Sequence, residues 1–107
     1  MPIVSKTDWV DYKNKNGQCI KYKGKKLKHR FFEGNNLTRD RILRYGTHLS
    51  NQLKGKAGQY CIRLKFSNGD YSEGDVINVG DEADIPEEYY AEHNDNQIVG
   101  FQVLLFP

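Results

Sequence analysis

Three histidines, two cysteines and a set of clustered carboxylates are the side chains of this chain with chemistry to offer. His29, His48 and His93 fall in three separate stretches, and none has a second ligand at the spacing a metal site uses. Asp70, Glu73, Asp75, Asp81 and Asp84 are dense enough to suggest calcium, but the twelve-residue loop with its closing glutamate is missing. Cys19 and Cys61 lack a CxxC partner, and a nucleophilic Cys61 would need an adjacent base. They read as reduced structural thiols of a cytoplasmic protein. Residues 55–58 (GKAG) follow an expected helix and lack the Lys-Ser/Thr ending of a phosphate loop. A metal-dependent nuclease would bring carboxylates and lysines together, whereas here they are segregated. The expectation is a protein without catalytic activity, metal or cofactor.

The segregation is itself the strongest functional signal. All 16 Lys and Arg lie at or before Lys65, against only Asp8, Asp11, Glu33 and Asp40, a balance of +12. From Phe66 onward there is no Lys or Arg and there are ten acids, a balance of −10. The net charge of +2 conceals this polarity. It points to a polyanionic partner, to an acidic surface offered to a basic partner, or to pairing of the two halves.

Positioning these charges requires a fold, and 107 residues are enough for one core. Hydrophobic residues at 37% and charged ones at 28% describe a globular chain. No apolar run reaches the roughly 18 residues of a membrane span, and residues 1–10 do not resemble a secretory signal. A helix is expected over residues 37–54, capped by Asn36 or Thr38 and ended by Gly55. Ile42, Tyr45, Leu49 and Leu53 form its inner stripe; Arg41, Arg44 and His48 lie opposite. Before it, Gly24-Lys25 suits a tight turn that would pair Lys21 with Lys28, Ile20 with His29 and Cys19 with Arg30. This register sends Ile20, Tyr22, Leu27, His29 and Phe31 to the core and leaves Phe32 free. It also opposes lysine to lysine, at about 0.2–1 kcal/mol per pair.

After the helix, Tyr60, Ile62, Leu64 and Phe66 alternate with Cys61, Arg63 and Lys65, a half-buried strand. Asn68-Gly69 turns it back into a strand whose phase shifts near Gly74, the mark of a bulge. Residues 84–88 suggest a short second helix, with Tyr89 and Tyr90 reaching back to the core. The stretch Ile98–Phe106 is apolar on both parities and reads as a central strand. The order β-β-β-α-β-β-α-β describes a single compact α+β domain over 1–107, a mainly antiparallel sheet with one long helix packed on it.

Two functions follow from the charge map. The first is a small nucleic-acid-binding protein, DNA or RNA, that contacts phosphates through Lys21, Lys23, Lys26, Lys28, Arg30, Arg41 and Arg44. The second is a protein-interaction module or inhibitor whose acidic C-terminal part, with Glu87, Glu88 and Glu92, mimics nucleic acid. Head-to-tail self-association of basic and acidic faces is a further possibility. No membrane partner is expected.

Overall fold

The stretch that is apolar on both parities, Ile98–Phe106, forms the middle strand of an antiparallel sheet. The structure is a computed structural model. It describes residues 5–6 and 10–11 by their backbone pairing, and residues 28–55, 58–94 and 97–106 with their side chains. In chain order the elements are β1 (Ser5–Lys6), β2 (Val10–Asp11), β3 (Lys28–Glu33), α1 (Arg39–Gln52), β4 (Gln59–Phe66), β5 (Tyr71–Glu73), β6 (Ile77–Asn78), a 3-10 turn (Glu87–Tyr89) and β7 (Ile98–Phe106). Among the described residues, the sheet has five positions: β1 with β2, β3, β7, β4, and β5 with β6.

The outer position made by β5 and β6 is a broken strand. On β4 the register runs Arg63 opposite Glu73 and then Tyr60 opposite Ile77, so one extra residue is absorbed across 74–76. This is the bulge expected near Gly74, where a Cβ would stand 2.6 Å from the Asp84 carbonyl oxygen. The chain reverses at Asn68-Gly69 as expected. Ser67 joins the loop, closed by Phe66 N donating to Asp70 O at 2.9 Å, with Gly69 at φ +93°.

Helix α1 begins at Thr38, whose hydroxyl accepts from Arg41 N at 3.2 Å, and ends before Gly55 at φ +95°. Ile42, Gly46 and Leu49 are buried, with Tyr45 and Leu53 packed beside them. At Gly46 a Cβ would collide with Ile62 Cδ1, so glycine lets the helix sit close on β4. Tyr45 meets Phe32 edge-on at 5.0 Å, and Phe32 stacks on Phe101 at 4.6 Å. These contacts, with Ile62, Leu64, Phe66 and Val103, form the core between helix and sheet. Among the described residues, no helix is long and apolar enough to cross a membrane.

Three sequence expectations are corrected here. Lys28 pairs with Asp11 and Leu105, and His29 with Val10 and Leu104, so both edges of β3 are taken at these positions. The expected pairing of Lys28 with Lys21 and of His29 with Ile20 is therefore not formed. Phe32, expected to be free, lies at the centre of the core, while Phe31 points to the opposite sheet face with Lys65 Nζ 5.4 Å from its ring. The second helix is a 3-10 turn. Ile85 and Tyr90 both turn inward, and five residues of α-helix would set them 140° apart.

Candidate interaction surface

Of the cationic residues expected to bind phosphate, Lys21, Lys23 and Lys26 lie outside the described residues. Lys28, Arg41 and Arg44 are exposed and Arg30 is half-buried. Lys28 and Arg30 share the parity of Phe32, so both project on the α1 side of the sheet. Arg41 spends one guanidinium nitrogen on the Asn36 carbonyl at 3.2 Å. Arg44 lines an open groove together with Asp40 and Glu82, in mixed-sign surroundings. Arg39 is bound to the acidic half outright, donating to Ile85 O at 2.9 Å and to Asp84 Oδ1 at 3.3 Å. The two halves of the sequence thus meet in an ion pair where α1 borders the C-terminal loop.

Away from that border most of the acids of the C-terminal part are exposed. Residues 81–92 form a strap across the β5–β6 side of the molecule. Tyr60 Oη donates to Asp81 O at 2.7 Å, and Ala83 N donates to Thr47 Oγ1 at 3.0 Å. Asp75 N donates to Asp84 O at 3.3 Å, and Ser72 Oγ donates to Tyr89 O. Tyr89 Oη in turn donates to Asp75 Oδ1 at 3.0 Å. That hydrogen bond and the Asp75 charge push the Tyr89 hydroxyl pKa up, so it stays a donor. Beneath these bonds Ile85 is fully buried against the core. The strap is therefore anchored at both margins and through its middle.

On this frame Asp81, Glu82, Glu87, Glu88 and Glu92 are exposed and form no ion pair among the described residues. Glu87 and Glu88 occupy the first turn of the 3-10 segment, where an N-terminal dipole favours them. Nothing in folding requires five exposed acids on one strap, because like charges so close repel. Tyr71 and Tyr89, about two-fifths exposed, flank the same side.

One buried polar arrangement was not foreseen. Arg63, expected on a solvent-facing parity, is only 5% exposed. Its Nη1 donates to Gln102 Oε1 at 2.9 Å, its Nε lies 3.3 Å from Glu73 Oε1, and its guanidinium stacks 4.2 Å from the Tyr71 ring centroid. Gln102 Nε2 reaches His29 Nδ1 at 3.0 Å, so a ladder Glu73–Arg63–Gln102–His29 crosses four strands. Its successive members are 10, 39 and 73 residues apart in the chain, and the single sequence signal is Glu73 facing Arg63 across a hairpin.

Burial, and next the Arg63 charge, hold the His29 pKa below its ordinary value. The unfolded chain takes up the His29 proton near pH 6.5, whereas the folded protein does so only at lower pH. This contribution to stability is complete above about pH 6.5 and falls as pH drops toward the folded pKa. In urea denaturation from about pH 7.5 to 5.5, wild type is expected to lose more stability than a His29→Gln variant. Parallel pH profiles would contradict that account.

Among the described residues, no three His, Cys, Asp or Glu side chains gather at metal-binding range. His48 is exposed and shares a 3.2 Å contact with Gln52; His93 stacks on Phe66 and faces Asp70 Oδ2 at 3.3 Å. Comparisons with protein families, curated proteins and solved structures find no match for this chain.

Proposed function

We propose that this chain is a non-enzymatic protein-interaction module that offers the acidic 81–92 strap to a basic partner. The supporting observation is the anchoring of the strap. Five exposed carboxylates that form no ion pair among the described residues sit on backbone held by side chains of β4, β5 and α1. An acidic segment needed only for solubility gains nothing from such fixation, whereas a binding surface held in place loses less entropy on association. An inhibitor that occupies the nucleic-acid groove of its target is the form of module this charge density suits.

A second reading uses the α1 side, where Lys28, Arg41 and Arg44 are exposed and Arg30 is half-buried, and where they would contact a phosphate backbone. It has lost one support, because Lys28 stands opposite Asp11 instead of another lysine.

The test is capture of a partner by the immobilised protein at low and high salt, beside the triple variant Glu87→Lys, Glu88→Lys, Glu92→Lys. Association is expected to fall with salt and to weaken about 10- to 100-fold in the variant. Salt-dependent binding of labelled DNA or RNA, with capture unaffected by the acidic substitutions, would move the assignment to the basic side.

A further inference from the structure

Beside the strap the β5 edge carries two adjoining depressions that share Tyr71 and Glu73. One, of about 250 Å³, is walled by Arg63, Gly69, Asp70, Tyr71, Glu73 and His93. The other, of about 310 Å³, continues from Tyr71 and Glu73 past Ser72 to Tyr89. Together they make a trough with an exposed tyrosine at its middle, another at one end, and carboxylates along it. We infer that this trough receives an arginine side chain of the partner, an inference that rests on the protein-interaction reading above.

The chemistry is that of a planar cation. A guanidinium stacks on tyrosine rings and donates in a fork to carboxylates, which a lysine ammonium does less well. The fold already contains one instance: Tyr71 and Glu73 hold the guanidinium of Arg63, by stacking at 4.2 Å and by an ion pair at 3.3 Å. Tyr71 remains 39% exposed after that contact and Tyr89 is 43% exposed. Asp70, with 61% of its side chain open, meets Asn68 Nδ2 and His93 Nε2 through Oδ2, leaving Oδ1 for a ligand. With Arg63 set against Asp70 and Glu73, and no further Lys or Arg in the wall, the first depression favours a cation.

The experiment is an NMR titration of the isotope-labelled full chain with N-acetyl-argininamide, with the lysinamide and glutamamide analogues alongside. Argininamide is expected to give saturable amide shifts confined to residues 69–73 and 89, at dissociation constants of about 1–10 mM for so small a probe. Lysinamide is expected to bind more weakly and glutamamide not to bind. Asp70→Asn and Tyr89→Leu, both at exposed positions, are each expected to weaken argininamide by about fivefold while leaving the remaining spectrum in place. Shifts that do not saturate, or that spread over Glu87, Glu88 and Glu92 without depending on Asp70 or Tyr89, would overturn the trough. Equal binding of lysinamide would overturn the stacking geometry. Either result leaves the strap intact as a surface, because partner capture and the strap variants report on it separately.

Discussion

Replacing Ile85 with alanine is expected to destabilise the protein by about 2–5 kcal/mol, the range for removing a buried aliphatic side chain. Ile85 is 0% exposed and belongs to the core, yet it is carried by the acidic strap and not by the sheet or helix. It packs where Gly74 leaves room, since a Cβ at that glycine would stand 2.8 Å from Ile85 Cγ1. The polar anchors around it are individually modest, about 0.5–1.5 kcal/mol for each hydrogen bond. The apolar contact is thus the strongest single attachment of the strap. Urea denaturation of the variant should show the loss in midpoint, and partner binding should weaken under conditions where the variant remains folded. A variant of undiminished stability would mean that the strap is held by its hydrogen bonds alone.

The substitution Arg63→Met is expected to cost about 3 kcal/mol, the lower part of the range for breaking a buried ion pair. The lower part applies because Glu73 keeps 18% of its side chain in contact with solvent. Methionine replaces most of the volume, so the loss is chiefly that of leaving Glu73 without its cation and Gln102 Oε1 without its donor. Adding Glu73→Gln removes the stranded charge and is expected to recover a substantial part of the loss. Urea midpoints of the two single variants and the double variant measure the coupling. Strict additivity would show that the Arg63–Glu73 pair contributes nothing beyond its packing.

Much of the architecture could be read from local periodicity. The inner face of α1 and the exposure of Arg41 and Arg44 follow from the spacing of Ile42, Tyr45, Leu49 and Leu53. The two-sided apolarity of Ile98–Phe106 marked it as the central strand, and the phase change near Gly74 marked the bulge. Strand partners were harder, because a period of two says which face a residue takes but not which strand lies beside it. The Ile20–His29 register satisfied that period, and so does the observed pairing of His29 with Val10 and Leu104. The doublet Phe31-Phe32 defeated parity for a related reason. Buried residues occur on both sheet faces, Phe32 on one and Cys61 and Leu104 on the other, so apolarity could not choose between them.

The acidic surface was legible as charge, and the exposure of Glu87, Glu88 and Glu92 agrees with the sequence expectation. Its rigidity was not, since the anchors come from Arg39, Thr47, Tyr60 and Ser72, between 17 and 46 residues away in the chain. The Arg63 ladder was hidden in the same way. A strand of alternating apolar and cationic residues ordinarily puts its cations in water, whereas here Glu73, Gln102 and Tyr71 make burial favourable.

The most direct measurement compares two charge reversals of equal size in one binding assay against the captured partner. One variant carries Glu87→Lys and Glu88→Lys on the strap; the other carries Arg41→Glu and Arg44→Glu on α1. All four positions are exposed, so both proteins should fold. The strap variant is expected to lose binding by about tenfold or more, with the helix variant close to wild type. Loss of binding in the helix variant, with the strap variant unchanged, would contradict the assignment of the acidic strap as the interaction surface.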